Sequence, residues 1–185
     1  MKRTISVLAW IAIAIMASAP ATAQIGRRFP SERKVINDPK TGVELIFLTS
    51  QSGTGDSKIY QTHNQWTSDG KWVIFRSDRV PGEAMAVHEE NGDIVQVTEG
   101  GFSGMLCVAR HSMHLYYMRP VQKAREKSKE RSREREMEVV EIDLERLFAD
   151  SEADNLKKKK HCERICGVVP AEMGAMGDMA LDGSE

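Results

Sequence analysis

The segment KWVIFRS, residues 71–77, carries large apolar side chains on both faces of a predicted strand. Side chains alternate across a strand, so Trp72 and Ile74 would lie on one face and Val73 and Phe75 on the other. A sheet with one face in water would instead alternate apolar with polar residues. The segment therefore predicts a strand that other layers of the protein cover on both faces.

Three further short strands are predicted around this segment. EAMAVHEE and DIVQVTEG flank the pair Asn91-Gly92, which is typical of a hairpin with a type I′ turn. The polar run at residues 61–65 precedes the turn at residues 69–70, and we interpret it as the first strand. The result is four short antiparallel strands in about 40 residues.

The same pattern returns further along the chain. LCVARHSMHLYYMR, residues 106–119, matches QWTSDGKWVIFRS about 40 residues later, and a third start is present at DMALDGSE. Repeats of this length with four strands each indicate β-propeller blades. We therefore expect an all-β fold, a β-propeller of four-stranded antiparallel blades, of which this chain supplies about two to three. Because a ring needs about four to eight blades, we interpret the chain as the N-terminal part of a longer protein.

Two segments lie outside the repeat. Residues 34–50 are predicted to form a hairpin around Pro39 to Gly42, as the outer part of a preceding or closing blade. A run of charged residues at about 121–137 has no apolar face and is interpreted as a solvated loop insertion. Its serine and arginine content resembles nucleic-acid-binding tails. The chain has 26 basic and 27 acidic residues, so its near-balanced charge argues against a nucleic-acid partner.

The N-terminus has the pattern of a secretory signal peptide. Basic residues are followed by a short apolar stretch and by small residues that end at Ala23, which predicts cleavage before Gln24. The apolar stretch is too short for a comfortable membrane span, and no later segment is long enough. We therefore divide the chain into a signal peptide, residues 1–23, and a partial propeller, residues 24–185, and expect a periplasmic or secreted protein.

The three cysteines give an odd count for an oxidising compartment. Cys162 and Cys166 either form a disulfide or stay reduced, and Cys107 in an apolar strand is expected to be a buried thiol. The sequence HCERIC also suggests metal ligands through His161. Three ligands without a fourth nearby are a weak signal, so no metal ligand is assigned in this chain.

The quoted segments, together with RRFPSERKVINDPKTGVELIFLTS and GDSKIYQTHNQWTSDGKWVIFRSDR, resemble the N-terminal portion of the oligogalacturonate lyase family, polysaccharide lyase family 22. The shorter motif WTSDGKWVIFRSD is shared with TolB-type propellers in general. The resemblance implies a seven-bladed propeller that cleaves short pectin fragments by β-elimination, with a divalent metal, manganese, and a histidine base. The family's metal ligands and base lie in later blades, so we expect them beyond Glu185 and assign none here.

Five residues are candidates for substrate binding in the propeller interpretation. Gln61, His63 and Gln65 would alternate onto one face of the first strand and could hydrogen-bond sugar hydroxyls or a carboxylate. The alternative is that they only line a wet channel. Arg76 and Arg79 follow the second strand and could pair with uronate carboxylates. The alternative for both is a solvated salt bridge.

Two functions remain open from the sequence. The first is an oligogalacturonide lyase, with oligogalacturonides as substrate and with this chain expected to be inactive by itself. The second is a non-catalytic TolB-like propeller that binds a protein or glycan in the cell envelope. The sequence leaves the oligomeric state open.

Overall fold

The computed structural model describes residues 23–51, 53–121, 136–156 and 158–173. Within these residues, eleven strands form three antiparallel sheets, accompanied by one α-helix. The strands are β1 (Arg28–Phe29), β2 (Lys34–Asn37), β3 (Glu44–Phe47), β4 (Ser57–Lys58), β5 (Trp72–Arg76), β6 (Ala84–His88), β7 (Ile94–Gln96), β8 (Ser103–Val108), β9 (His114–Pro120), β10 (Met137–Asp143) and β11 (Glu163–Val169). The helix α1 spans Leu144–Glu152 and lies between β10 and β11.

The first sheet has the strand order β1-β7-β6-β5-β4. Strands β4 to β7 follow one another in the chain as antiparallel neighbours, and β1 adds a fifth strand beside β7. In the central pair, Trp72 lies opposite His88 and Phe75 lies opposite Met85. The predicted strands in residues 71–77, 83–90 and 93–100 are therefore present.

Strand β5 is covered on both faces, as its sequence predicts. Trp72 and Ile74 belong to a core that the first sheet shares with the second sheet and α1. Phe75 lies in a separate cluster on the opposite face, and Val73 packs against that cluster. The side chains of Ile74 and Phe75 are 0% and 6% exposed, so both layers exclude water from this strand.

The second sheet is formed by β8, β9, β10 and β11 in chain order. Strands β8 and β9 correspond to the predicted repeat at residues 106–119, and their side chains Leu106, Leu115 and Tyr117 pack into the shared core. Val139 pairs with Gly167 and Val140 with Ile165, which leaves Cys166 as the extra residue of a β-bulge. The protein is thus mostly β and antiparallel, in agreement with the expected all-β class.

The polar run at residues 61–65 is not a strand, which corrects the sequence interpretation. Residues 61–63 form a turn and a bend, and the strand at this edge of the sheet is β4, followed by an isolated bridge between Trp66 and Val73. The Asn64 side chain accepts the Trp66 N–H at 3.3 Å and donates to the Trp66 carbonyl oxygen at 2.6 Å. These local side-chain bonds compete with the hydrogen bonds of a regular strand.

The turn between β6 and β7 also differs from the prediction. The hairpin is present, but its loop has four residues, 89–92, closed by a bond from the His88 N–H to the Asp93 carbonyl oxygen at 2.9 Å. Gly92 has a φ of 74°, whereas Asn91 is not among the residues with positive φ. A type I′ turn needs positive φ at both central residues, so the turn has a different type.

The predicted N-terminal hairpin is confirmed as β2 and β3. Its loop at residues 39–42 ends at Gly42, whose φ is 73° and whose N–H donates to the Asp38 carbonyl oxygen at 2.8 Å. Directly paired residues share a face, so Leu45 and Phe47 lie on one face and Ile46 on the other. All three are exposed by more than a third, and the hairpin therefore presents apolar side chains on both faces.

Several sequence predictions lie outside the described residues. They concern residues 1–22 of the signal peptide, residues 122–135 of the charged insertion predicted at about 121–137, and the third repeat at residues 178–185. At the end of the predicted insertion, Met137 is buried and begins β10, so the insertion ends earlier than predicted. In the described part of the chain, no helix has the length and apolar character that crossing a membrane requires.

Candidate functional site

A loop splits the edge of the first sheet beside β5 into two pieces. Strand β4 pairs with Phe75 and Arg76, while Trp66 pairs with Val73 nearer the other end of β5. The loop, residues 59–64, leaves the sheet between these two pairings. It places the Asn64 side chain against β8, with Nδ2 3.5 Å from the Val108 carbonyl oxygen.

Gln65 and Arg76 lie on the same face of the first sheet. The Ile74 N–H donates to the Gln65 carbonyl oxygen at 2.8 Å, so Gln65 is opposite Ile74. Arg76 is two residues further along β5 and shares the face of Ile74. Diagonal neighbours of this kind lie about 7–8 Å apart. The two polar side chains therefore face the second sheet as neighbours.

Each of these two side chains has a buried donor without an acceptor. Among the described residues, Gln65 Nε2 and Arg76 Nε are buried and have no hydrogen-bond partner. A buried donor that stays unpaired costs about 1–3 kcal/mol. Oxygen acceptors brought by a ligand, or ordered water, would remove this cost.

Contacts with the second sheet fix the position of the Arg76 guanidinium. Its Nη2 donates to the Gly104 carbonyl oxygen at 2.9 Å, and its Cζ lies 5.7 Å from the centre of the Phe102 ring. These contacts hold one side of the guanidinium and leave Nε unpaired. Nε is buried, so a carboxylate would reach this oriented, charged donor only after neighbouring side chains move aside.

The structure does not place Gln61 and His63 on one strand face with Gln65. Gln61 is exposed in the turn, and His63 is half-buried with its ring 5.5 Å from the Tyr60 ring in an edge-on contact. His63 Nδ1 lies 3.4 Å from the Thr62 hydroxyl. Their role in substrate binding stays a prediction, but the strand alternation on which it was based is absent.

Arg79 lies in a buried ion-pair cluster. Its Nη2 donates to both carboxylate oxygens of Glu32 at 2.7 Å, and its Nη1 donates to Asp56 and to the Ser77 hydroxyl. The Arg79 side chain is only 5% exposed. A substrate role for Arg79 stays a prediction, and in this structure its donors are occupied by protein groups.

The pKa values in this cluster follow from the geometry. Burial alone raises the pKa of Glu32 and of Asp56 and is the largest single effect. The hydrogen bonds from Arg79, the charge of Arg79 and further backbone and hydroxyl hydrogen bonds together outweigh it and hold both pKa values below the ordinary range. Burial alone lowers the pKa of Arg79, and the two carboxylates raise it overall. All three groups are therefore charged at neutral pH.

The segment HCERIC does not form a metal site or a disulfide. Cys162 is buried and Cys166 is exposed, and both are free thiols. His161 Nδ1 lies 2.6 Å from an Asp150 carboxylate oxygen. No group of three or more His, Cys, Asp or Glu side chains in the described parts of the chain could hold a metal ion. These residues do not fit the divalent metal that the family resemblance implies, and we derive no step through it.

Sequence reasoning missed the residue that shapes the loop. Asn64 bonds to the Trp66 backbone, and its Nδ2 also lies 3.5 Å from the Val108 carbonyl oxygen of β8. Asparagine is a common turn residue because its side chain mimics a backbone group. The Asn64 in THNQW was therefore a signal for a turn in the middle of the run.

Comparisons with known proteins give similarities in structure alone. No protein-family model matches the sequence, and a search of curated proteins finds no match. One similar solved structure is an oligogalacturonate lyase in complex with manganese, with 16% identity and a TM-score of 0.46, covering 65% of this chain and 38% of that one. Another is an oligogalacturonate lyase from Vibrio parahaemolyticus, with 14% identity and a TM-score of 0.38, covering 68% of this chain and 47% of that one. This chain thus spans less than half the length of either structure.

Proposed function

We propose that this chain binds oligogalacturonides, as the N-terminal part of a lyase that cleaves short pectin fragments by β-elimination. The observation that carries the proposal is the pair of buried, unpaired donors on neighbouring side chains, Gln65 Nε2 and Arg76 Nε. Each galacturonate unit has a carboxylate and several hydroxyl groups, all of them hydrogen-bond acceptors. The sequence resemblance to oligogalacturonate lyases supports the choice of this sugar.

The chemical fit depends on Arg76. A guanidinium is charged at all accessible pH values and forms directed hydrogen bonds with carboxylates. Arg76 is held by Gly104 and Phe102, so little of its freedom would be lost when a ligand binds. The amide of Gln65 has no charge and suits a hydroxyl or a second carboxylate oxygen.

The fold in this proposal is a β-propeller. Strands β4 to β7 and strands β8 to β11 would be consecutive blades, each with four antiparallel strands in chain order. The apolar core between the two sheets supports packing of blade on blade. The divalent metal and the histidine base would belong to other parts of a complete enzyme. Export to the periplasm or the exterior, with cleavage before Gln24, completes the proposal.

The test is a calorimetric titration of the chain with digalacturonate. Arg76→Met keeps an unbranched, apolar stem and removes the charge and donors of the side chain, so we expect affinity to fall about tenfold or more. Gln65→Met removes the amide, and we expect a smaller loss. Arg110→Met is the matched control, because Arg110 is exposed on the turn before β9. Absence of digalacturonate binding, or equal affinity of the Arg76 and Arg110 variants, would refute the proposal.

A further inference from the structure

The chain that follows the predicted cleavage site is built into the first sheet. The Gly26 N–H donates to the Gln96 carbonyl oxygen at 2.8 Å, and the Ser151 hydroxyl donates to the Gly26 carbonyl oxygen at 2.7 Å. Ile25 is 2% exposed, and its N–H donates to a Glu99 carboxylate oxygen at 3.0 Å. The segment from Ile25 onward is therefore a fixed part of the fold.

The backbone nitrogen of Gln24 faces a single, fixed acceptor. It donates to Gln96 Oε1 at 3.2 Å. Gln96 is fully buried, and its Nε2 donates to the Thr98 carbonyl oxygen at 2.7 Å, which determines the orientation of the amide. One acceptor matches a nitrogen that carries one N–H. An α-ammonium group carries three, so a free charged N-terminus would be poorly satisfied at this position.

The surroundings of Gln24 are basic. Ala23 and Gln24 are exposed in an open cleft of about 440 Å³, whose titratable lining consists of Glu99, Lys158, Lys159 and Lys160. Three nearby lysines against one carboxylate disfavour a further positive charge. The ordinary pKa of an α-amino group is about 7.7–8.0. The cleft therefore disfavours the charged form of an α-amino group at Gln24.

These observations lead us to infer that Gln24 is a modification site: after cleavage at Ala23, it closes to an N-terminal pyroglutamate. The neutral α-amine attacks Cδ of its own side chain, a C–N bond forms, and the bond from Cδ to Nε2 breaks. Ammonia leaves with the proton that the attacking amine gives up, so no other reactant is needed. The lactam keeps one N–H for Gln96 Oε1 and has no charge beside the lysines. The inference rests on the proposed export.

The test uses the full chain, produced with export in a bacterial host and recovered from the periplasm. Intact-mass and N-terminal peptide spectra should show a chain that begins at residue 24 and is lighter by one ammonia. A chain that begins at residue 24 with its ammonia retained would overturn the inference and leave the export proposal standing. A chain that retains Met1, or one cleaved elsewhere, would overturn both. Gln24→Asn should keep its ammonia, because it cannot close a five-membered ring in this way.

A rate measurement separates this site from an unassisted N-terminal glutamine. Mass spectra at intervals after a short pulse of synthesis give the rate of ammonia loss. In the double variant Lys158→Glu, Lys160→Glu the rate should fall about twofold, because replacing two lysines by carboxylates favours the charged, unreactive form of the α-amino group. Lys40→Glu, in the exposed loop between β2 and β3, is the control and should match the unmodified sequence. Equal rates in all three proteins would overturn the assignment of the reaction to this cleft.

Discussion

Glu32 accepts two N–H groups of Arg79, with Arg79 Nη2 2.7 Å from each carboxylate oxygen and Nε 3.2 Å from one of them. The two residues are 47 positions apart in the sequence. Glu32 also accepts the backbone N–H groups of Ser50 and Gln51, on the far side of the β2–β3 hairpin. The pair therefore connects both ends of this hairpin to the first sheet.

Replacing Arg79 should destabilise the protein strongly. Arg79→Met leaves the carboxylates of Glu32 and Asp56 partly buried without their partner, and breaking a buried pair in this way costs about 3–5 kcal/mol. Arg79→Lys keeps the charge but loses the forked geometry, so its loss should be intermediate. Urea denaturation measures both free energies of unfolding. A loss below about 1 kcal/mol for Arg79→Met, typical of surface pairs, would contradict a buried cluster.

Stability should decrease in acid because of the same cluster. The pKa values of Glu32 and Asp56 are lower in the folded protein than in the unfolded chain, so their contribution is complete above the ordinary values of about 4. It is lost as the pH falls through the folded-state values. In Arg79→Met this acid-dependent loss should be smaller. Burial raises the pKa of Glu83, so this residue has the opposite effect on stability in acid. Glu83 is present in both the unmodified protein and Arg79→Met, and comparing the two proteins cancels its effect.

Urea titrations of both proteins between pH 7 and the acid range, roughly pH 3, measure this difference. Parallel curves of unfolding free energy against pH would show that Arg79 does not depress the two carboxyl pKa values, and would contradict the geometry of the cluster.

Local sequence patterns predicted most of the strands. The buried ion pairs depend on contacts between residues far apart in the sequence, which local patterns do not predict. The alternation in residues 71–77 placed Trp72 and Phe75 on opposite faces because strand geometry fixes side-chain direction. The partners of Arg79 come from segments that no short pattern connects. The sequence also contains a helix signal that the prediction of an all-β chain omitted. Asp143 caps α1, and Leu144, Leu147 and Phe148 follow at the i, i+3 and i+4 spacing of a buried helix face.

The predicted site was only partly recoverable from the sequence for a similar reason. Gln65 lies opposite Ile74 of β5 and therefore near Arg76. The prediction of a first strand, a turn at residues 69–70 and a second strand at residues 71–77 already contained this pairing. Gln61 and His63 were predicted on a strand because the polar run, counted as a first strand, completes a repeat of four strands. The bonds of the Asn64 side chain to the Trp66 backbone turned the chain instead.

Removal of the Trp72 ring should be among the most costly core substitutions. Trp72 stacks on Phe148 with ring centres 4.0 Å apart and packs edge-on against His88. Trp72→Ala should lower the free energy of unfolding by about 3–5 kcal/mol, and Phe75→Ala on the opposite face should cost a similar amount. Trp66→Ala is the control, since Trp66 is 43% exposed, and should cost far less. Equal losses for Trp66→Ala and Trp72→Ala in urea denaturation would refute the packing of the two sheets.

The cysteines should react with a maleimide in two classes. Cys166 is exposed at the bulge, whereas Cys107 and Cys162 are buried, and burial raises the pKa of Cys162 to about 12. We expect one thiol to be labelled rapidly in the folded protein and all three after denaturation without a reducing agent. Mass spectrometry after labelling counts the modified residues. A single labelled thiol after denaturation would reveal a disulfide and contradict the structure.

The most direct test of the proposed binding site is the NMR signal of the Arg76 Nε–H during a titration with digalacturonate. In the free protein this donor has no partner in the described part of the chain, whereas the Arg79 Nε–H already donates to Glu32. The account predicts that the Arg76 signal moves as a new hydrogen bond forms, that it saturates with the ligand, and that the Arg79 signal stays in place. Binding of digalacturonate with an unchanged Arg76 Nε–H signal would contradict the account.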